Sequence, residues 1–282
     1  MHRAGRLFIV ALAICGLGCG EATTVIGGKP RPKFYRAIVS LSPGTTEIAL
    51  QYGTARAVVG RTASDDFPAF QVAKIPIVAS VKPDYEKIAE IKPDLILYDS
   101  LLYNDQDVAK IKAIGADLFV ISANTVDEFI TELYKYGSLV AGETNVSTYV
   151  DRILAARSSA QGDAAGTKIK VAVIMPGQGS EHMIAGTDSF VADLVRAAGA
   201  EPVGPKADRF VNLSPEFLVS QNPDIIISSG NGAAILADAR LATVTAVKNR
   251  RVIAVKPDVL LRRGSRVDKM IDAFHEAFGA KK

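Results

Sequence analysis

Two stretches of the chain have nearly the same pattern: "EKIAEIKPDLILYDS" covers Glu86–Ser100, and "EFLVSQNPDIIISSG" covers Glu216–Gly230. In each stretch a Glu stands seven residues before a Pro-Asp pair, with apolar residues at helical spacing between them. Proline cannot continue a helix and disfavours helical backbone in the residue before it, so Pro93 and Pro223 mark helix ends. The uninterrupted apolar run that follows is typical of a strand buried on both faces of a parallel sheet. The chain therefore contains the same helix-then-strand unit twice.

The distance between the two copies indicates two similar lobes. They lie 130 residues apart, and two copies at that spacing do not make a solenoid. A chain of 282 residues with 48% apolar and 22% charged residues has the profile of a soluble globular protein and is long enough for two domains. The net charge is only +3, and Arg3 and Arg6 supply two of those charges, so nothing implies binding to nucleic acid.

The N-terminus resembles an export signal. "MHRAGRLFIVALAICGLGCG" has a basic start, an apolar stretch and then small residues, and the apolar part is too short for a permanent membrane helix. Both cysteines of the chain, Cys15 and Cys19, lie in this segment, so we expect no disulfide in the folded body. Because "GLGC" resembles a bacterial lipobox, residues 1–19 are predicted to be a signal peptide with a lipobox. Cleavage and lipidation are then expected at Cys19. Ordinary cleavage near Ala22 is the alternative. Residues 20–35 have the composition of a linker.

The remaining pattern predicts an α/β fold. Strands alternate with short helices over residues 36–125, which indicates an N-terminal lobe with a mainly parallel sheet. Residues 126–162 form a helical connector, in which residues 143–160 could make one spanning helix of about 27 Å. Residues 168–282 return to the α/β pattern. We expect two Rossmann-like lobes joined by a single long helix.

Several motifs in order resemble one protein family. They are "RAIVSLSPGTTEIALQYG", "VVGRTASDDFP", "EKIAEIKPDLIL", "LSPEFLVSQNPDIII" and "LLRRGSRVDKMIDAF", and they span nearly all of residues 36–278. The chain resembles the substrate-binding proteins of bacterial ABC importers for cobalamin, ferric siderophores and heme, the class III periplasmic binding proteins. The resemblance implies a non-enzymatic, monomeric protein outside the cytoplasm, with no cofactor. It would capture a cobalamin-type corrinoid or a ferric siderophore between its lobes and deliver it to a permease dimer with ATPase subunits.

The resemblance also implies two acidic residues that dock onto permease arginines. Glu47 in "TTEIAL" and Glu216 in "SPEFLV" match those positions. Two distant carboxylates could set orientation and register on a basic surface. Alternatively, each could simply favour the dipole of its own helix, since both are predicted in a first helical turn.

The ligand site implied by the family lies in four segments. The expected ligand-binding residues are Ser64, Asp65, Asp66, Phe67, Ser80, Val81, Lys82, Arg209, Phe210, Arg262, Arg263 and Arg266. Cobalamin binders place aromatic residues at the positions of Ser64, Ser80 and Phe210, but here only Phe210 is aromatic and the chain has no Trp. Stacking is therefore reduced. The five basic residues of the set could form a cationic wall suited to a ligand carboxylate or phosphate.

Other functions have weaker support in the sequence. The three histidines show no metal-site spacing, so no metal site is expected. The Tyr of many heme binders is not matched at Ala79, which leaves Tyr85 or Tyr103 as substitutes in a heme-binding alternative. A secreted α/β hydrolase lacks a recognisable nucleophile elbow and would rest on fold class alone. A third possibility is a receptor or scaffold that has kept the fold without transport.

Overall fold

The computed structural model describes residues 33–140, 142–163, 169–177 and 181–279. The predicted signal, Cys19 and most of the predicted linker lie outside these ranges. The described residues belong to one unit that begins at Pro32. Within them, no helix has both the length and the apolar character needed to cross a bilayer.

The N-terminal lobe is built on a five-stranded parallel sheet in the order β3-β2-β1-β4-β5. Its elements are β1 (Ile38–Ser40), α1 (Pro43–Gln51), a 3-10 turn (Ala55–Ala57), β2 (Val58–Thr62), α2 (Ala69–Val72), β3 (Ile77–Ala79), α3 (Tyr85–Ile91), β4 (Leu95–Asp99), α4 (Asp105–Ala113) and β5 (Asp117–Ile121).

The C-terminal lobe is built on a six-stranded mixed sheet. Its main order is β11-β10-β6-β7-β9, with β8 also paired to β6; β7 runs antiparallel to both neighbours. Its elements are β6 (Lys170–Met175), β7 (Met183–Ala185), α7 (Phe190–Ala197), β8 (Glu201–Val203), β9 (Phe210–Asn212), α8 (Pro215–Gln221), β10 (Ile225–Ser229), α9 (Ala233–Ala237), a 3-10 turn (Ala239–Leu241), α10 (Thr245–Lys248), β11 (Val252–Val255), α11 (Pro257–Leu260) and α12 (Val267–Gly279). Helices α5 (Val126–Leu139) and α6 (Glu143–Asp163) precede them.

The repeated sequence unit folds alike in both lobes. Helices α3 and α8 have seven residues each, and a side chain caps the N-terminus of each. Each helix ends in a left-handed residue directly before the proline, Lys92 with φ 52° and Asn222 with φ 49°. A left-handed residue at the C-terminus stops the helix, and the proline prevents its continuation. The chain therefore turns into the central strand at the same point in both lobes.

The aspartate of each Pro-Asp pair fastens the neighbouring strand. Asp94 accepts a hydrogen bond from the backbone N–H of Ala37 at 3.0 Å, directly before β1. Asp224 accepts one from the backbone N–H of Lys170 at 2.9 Å, where β6 begins. These bonds set the register of the two central strands, β1 with β4 and β6 with β10. The two copies therefore share the same local structure as well as the same sequence pattern.

A helical connector joins the lobes. It consists of α5 (Val126–Leu139) and α6 (Glu143–Asp163), and the 21 residues of α6 give it a length of about 31 Å. Helix α6 packs against α5 and against α12. The Tyr149 ring on α6 stacks on Tyr52 of the N-terminal lobe at 4.6 Å between ring centres. One apolar core continues from the first sheet through these helices to α12. The predicted fold of two α/β lobes joined by a long helix is confirmed.

Candidate functional site

A cavity of about 470 Å³ lies where the strands of the N-terminal sheet end. The segments after β1, β2, β3 and β4 form its N-terminal side, as expected for the carboxyl ends of parallel strands. The segment around α11 closes it from the C-terminal lobe. The lining residues are Leu41, Ser42, Pro43, Gly44, Thr62, Ser64, Ser80, Val81, Asp99, Leu101, Leu102, Tyr103, Pro257, Asp258, Leu261, Arg262 and Arg263.

Exposed apolar side chains from both lobes face this cavity. The exposed fraction is 95% for Val81, 60% for Leu101 and 55% for Leu102 in the N-terminal lobe, and 40% for Leu261 in the C-terminal lobe. Exposed apolar groups collected around one concavity are characteristic of a binding surface. The walls of the cavity therefore suit a ligand with a large apolar face.

The floor of the cavity is a fixed network of hydroxyl groups at the start of α1. The Ser42 and Thr45 hydroxyl oxygens are 2.6 Å apart, and the Thr46 hydroxyl donates to the Ser42 carbonyl at 3.1 Å. All three side chains are buried. The Tyr103 hydroxyl donates to the carbonyl of Leu41 at the cavity edge. These groups hydrogen-bond with one another, which fixes the start of α1 beneath the cavity.

Three arginines reach from the C-terminal lobe to carboxylates of the N-terminal lobe. Arg262 pairs with Asp66 and donates to the carbonyl of Ser64 at 2.9 Å. The hydrogen bond and charge of Arg262 outweigh the effect of burial and lower the pKa of Asp66. The guanidinium of Arg263 is buried against Asp99, with 3.0 Å between Nε and Oδ2.

The third arginine shares its partner with the first. Nε of Arg266 lies 3.2 Å from Oε2 of Glu47, and Nη1 of Arg262 lies 3.3 Å from Oε1 of the same carboxylate. Glu47 also accepts hydrogen bonds from the backbone N–H and the hydroxyl of Ser265, both at 3.1 Å. The guanidinium of Arg266 lies over the Phe67 ring, 4.7 Å from its centre. We call Glu47, Arg262, Ser265 and Arg266 the latch.

The latch corrects two predictions. Glu47 is only 1% exposed and lies beyond the first turn of α1, so it cannot present its carboxylate to a partner protein or act on the helix dipole from a first turn. The predicted cationic wall is also changed, because the guanidinium groups of Arg262, Arg263 and Arg266 are paired with carboxylates. Arg262 and Arg263 line the cavity as partners in ion pairs.

The other predicted ligand residues divide between the cavity and its surroundings. Ser64, Ser80 and Val81 line it. Asp65 lies beneath the surface, with its carboxylate hydrogen-bonded to Thr62. The rest are not among the lining residues: Asp66 and Phe67 contact the arginines, Lys82 is exposed, Arg209 pairs with the adjacent Asp208, and Phe210 is half-buried in β9.

The sequence analysis missed several residues of the cavity. Leu101 and Leu102 lie just after β4, and Leu261 belongs to the segment after β11; Tyr103 was named only as a substitute ligand in the heme-binding alternative. The available signal was the topology rule that ligands bind at the carboxyl ends of parallel strands. Applied to the repeated strand at Leu95–Asp99, that rule would have identified the Leu101 to Tyr103 segment.

The two tyrosines considered for heme binding both use their hydroxyl groups in hydrogen bonds. Within the described ranges, no group of three or more His, Cys, Asp or Glu side chains is placed to hold a metal ion. The Tyr103 hydroxyl is used by the carbonyl of Leu41, and the Tyr85 hydroxyl donates to Asp107 at 2.8 Å. Burial raises the pKa of Tyr103. Burial and the hydrogen bond to Asp107 raise the pKa of Tyr85 to about 12. Both hydroxyls therefore stay protonated and structural.

Comparisons with known proteins agree with this architecture. The chain is 26% identical over 262 residues to YvrC of Bacillus subtilis (strain 168), an uncharacterized ABC transporter substrate-binding lipoprotein, covering 88% of this chain and 81% of that one. The fold matches the periplasmic vitamin B12 binding protein of Vibrio cholerae with a TM-score of 0.74 and 21% identity, over 86% of this chain and 96% of that one. It also matches the periplasmic heme binding protein of Vibrio cholerae, with a TM-score of 0.76 and 18% identity, over 86% and 99% of the two chains.

The family model described as "Periplasmic binding protein" matches residues 38–259, which is well over half of the chain. That match removes the support for the hydrolase interpretation, which rested on fold class alone. The chain belongs to the periplasmic binding protein family, whose members are transport components and not enzymes.

Proposed function

We propose that this protein is the extracytoplasmic substrate-binding component of an ABC importer for a metal chelate, either a cobalamin-type corrinoid or a ferric siderophore. The cavity between the lobes is the observation that carries the proposal, because both lobes contribute exposed apolar side chains to it. The similarity to an ABC transporter lipoprotein and to a vitamin B12 binding protein supports the transport role and the class of ligand.

The charge pattern of the cavity favours the corrinoid. Each cleft arginine has a carboxylate partner, so the cavity offers little uncompensated positive charge to a polyanionic chelate. Taking a ligand anion would mean breaking one of these pairs and leaving a carboxylate unpaired. A corrinoid with a broad apolar ring face and neutral amide substituents suits Val81, Leu101 and Leu102 better.

Heme binding is the less favoured alternative. Proteins commonly hold heme iron through a His, Cys, Met or Tyr side chain. Tyr103 lines the cavity, but its hydroxyl donates to the Leu41 carbonyl. Heme would require this bond to break, whereas a corrinoid would not.

We propose Glu86 and Glu216 as the acidic residues that dock onto the permease. Glu86 takes the place of Glu47, which is buried in the latch. Glu86 and Glu216 occupy equivalent positions of the repeated unit, each exposed in the first turn of its helix. Glu216 accepts hydrogen bonds from its own backbone N–H and from the Ser214 hydroxyl. These bonds lower the pKa of Glu216, which keeps its carboxylate charged. Two equivalent carboxylates, one on each lobe, suit a permease built from two similar subunits.

We further propose that the protein acts as a monomer at the periplasmic face or the cell surface, held to the membrane by a lipid on Cys19. Mass spectrometry of protein extracted from membranes would show the lipid adduct. Replacing Cys19 by Ser should release the protein into the soluble fraction.

A binding screen tests the ligand proposal. We expect the purified protein to bind cyanocobalamin or cobinamide more tightly than hemin or ferric siderophores in isothermal titration calorimetry, with little dependence on salt.

Because Leu101 and Leu102 are exposed, Leu101→Asp and Leu102→Asp should each weaken binding by about tenfold or more without altering unfolding. Leu154→Asp on α6, 38% exposed and outside the cavity lining, is the matched control. Binding by both leucine variants at full affinity would show that the ligand lies elsewhere.

A further inference from the structure

A second cavity of about 450 Å³ lies within the C-terminal lobe, between the edge strand β11 and helix α12. Its size falls in the usual range of small-molecule sites, about 300 to 1,000 Å³. The walls are almost entirely apolar, with Ile253 and Val255 on the strand and Met270 and Phe274 on the helix. Three basic residues also line it where β11 finishes and α12 begins: Lys256, Lys269 and Arg266, of which Arg266 is already paired with Glu47. We call it the edge cavity.

The N-terminal lobe contains the equivalent position, so the two lobes can be compared residue by residue. The backbone N–H of Ser100 donates to the carbonyl of Ile121 at 2.9 Å, and that of Gly230 donates to the carbonyl of Val255 at 2.7 Å. Ser100 and Gly230 end the two repeated stretches, so Ile121 of β5 corresponds to Val255 of β11. Two residues earlier, Phe119 corresponds to Ile253.

The helices that follow correspond as well. Helix α5 begins Val-Asp at residues 126–127 and α12 begins Val-Asp at residues 267–268. Counted from these starts, Glu132 corresponds to Ala273 and Tyr136 to Ala277. Glu128 corresponds to Lys269, so the charge at that position is reversed.

In the N-terminal lobe, two large side chains fill the space. The Tyr136 ring packs 5.3 Å from the Phe119 ring, measured between centres. The Glu132 carboxylate accepts hydrogen bonds from the backbone N–H of Ser122 at 3.0 Å and from its hydroxyl at 2.8 Å. Phe119 and Ile121 are buried as a result.

In the C-terminal lobe, alanines replace both of these groups, and the edge cavity is the space that results. Ala273 and Ala277 line it, and Ile253 and Val255 remain half-exposed. Lys256 stands where Ser122 donates hydrogen bonds to the Glu132 carboxylate in the other lobe. Both lysines are exposed, and no ion pair involves either of them within the described part of the chain. The C-terminal lobe therefore lacks the two groups that fill this space in the N-terminal lobe, a carboxylate and an aromatic ring.

We propose that the edge cavity is a binding site for a small apolar carboxylate, such as an arylalkanoic or fatty acid. The carboxylate would lie between Lys256 and Lys269, and the apolar body would cover Ile253 and Phe274, in the place that Tyr136 takes in the other lobe. Charge-assisted hydrogen bonds at the cationic end fix the orientation of such a molecule. A second copy of this chain is a poor occupant, because Arg251 precedes β11 and Lys256 follows it, and antiparallel pairing of two β11 strands would bring these like charges together.

Titration with 4-phenylbutanoate, followed by methyl NMR of the full protein, tests the site. We expect saturable shifts at Ile253, Val255 and Met270, and binding about tenfold tighter than for the matched neutral alcohol 4-phenylbutanol. Replacing both lysines, Lys256→Ala with Lys269→Ala, should reduce the carboxylate to the affinity of the alcohol. No shifts at these methyl groups, or equal affinity for acid and alcohol in the unmodified protein, would overturn the proposal.

A pair of filling substitutions provides the second arm. Ala273→Glu with Ala277→Tyr restores the N-terminal arrangement and should abolish the shifts. Should that variant not fold, as judged by circular dichroism, Ala277→Phe alone should do the same. Ala109→Tyr on α4, at an exposed helical alanine outside the edge cavity, is the control and should bind normally. Retained binding in the folded filled variants would refute the site. Corrinoid binding in the cleft should be unchanged in all of them, so the two sites are tested independently.

Discussion

At the scale of single residues, the latch shows how one buried carboxylate joins segments far apart in the chain. Glu47 of α1 holds Arg262, Ser265 and Arg266, which lie more than 200 residues later. Its hydrogen bonds are satisfied from the other lobe, so the charge is compensated although it is buried. Removing one partner of such a cluster leaves the others uncompensated, which costs more than an isolated surface pair contributes.

Glu47→Gln should therefore destabilise the protein strongly. The substitution keeps the shape but leaves the half-buried Arg266 without its anion and Arg262 with Asp66 alone, and we expect a loss of about 3 kcal/mol in the free energy of unfolding. Urea denaturation followed by circular dichroism measures it. Glu216→Gln, an exposed glutamate in the other lobe, should change the free energy by less than about 0.5 kcal/mol. A loss for Glu47→Gln no larger than that would mean that the latch is not stabilising.

Asp65 and Asp66 are neighbours with opposite pH behaviour. Burial raises the pKa of Asp65, and hydrogen bonds from Thr46 and Thr62 offset this only in part. The folded protein therefore binds this proton more tightly than the unfolded chain does, so the contribution of Asp65 to stability is present at low pH and is lost as pH rises through the raised pKa. Arg262 lowers the pKa of Asp66, so its contribution is present above the ordinary carboxyl pKa and is lost on acidification.

Asparagine substitutions should separate the two cases. Asp65→Asn removes a buried charge, so we expect higher stability than the unmodified protein near pH 7 and a shrinking difference as pH falls toward 4. Asp66→Asn removes the partner of Arg262 and should be less stable near pH 7, with the difference again shrinking in acid. Urea unfolding over this pH range gives both trends. The same sign for both variants at neutral pH would contradict this account.

At the scale of helices and strands, local signals in the sequence were sufficient for much of the fold. The Pro-Asp pairs and apolar runs predicted α3 with β4 and α8 with β10, and the long helical pattern predicted α6, which extends three residues beyond the expected end at Ala160. The latch could not be predicted this way, because Glu47 in a helical pattern gives no sign of a partner over 200 residues away. The internal repeat did contain the residue that we now propose for docking, since Glu86 stands at the position of Glu216.

The start of α1 depends on a glycine where the two lobes meet. A Cβ on Gly44 would lie 2.5 Å from the backbone carbonyl oxygen of Arg263, and backbone atoms cannot yield as a side chain can. Gly44→Ala should cost about 1 to 3 kcal/mol of unfolding free energy by pushing the latch segment away from α1. Gly162→Ala near the end of α6 meets nothing within 4 Å and should stabilise by up to about 1 kcal/mol through helix propensity. Thermal unfolding would show shifts of opposite direction, and equal shifts would contradict the close approach.

At the scale of the whole molecule, two separate connections restrict relative motion of the lobes. Helix α6 packs on α12 of the C-terminal lobe and stacks Tyr149 on Tyr52 of the N-terminal lobe, and the latch joins α1 to the segment before α12. A wide hinge opening would break the ion pairs of Glu47 and expose the continuous core. We therefore expect the ligand to enter a largely preformed cavity, and the permease to recognise a nearly rigid surface.

That rigid surface leads to a prediction about transport. Because Glu86 and Glu216 are exposed at equivalent positions of two lobes with a fixed separation, both can engage a two-fold permease at once. Reversing both, Glu86→Lys with Glu216→Lys, should place like charges opposite the permease arginines that the family resemblance implies, and should reduce uptake by about tenfold or more. Ligand affinity should not change, because neither residue lines the cavity.

The control is Glu201→Lys with Glu276→Lys, two exposed glutamates outside the repeated unit, which should transport normally. Radiolabelled uptake in cells that depend on each variant measures the effect. Normal uptake by the Glu86 and Glu216 variant would exclude this pair, and an equal loss in the control would show that net charge alone is responsible.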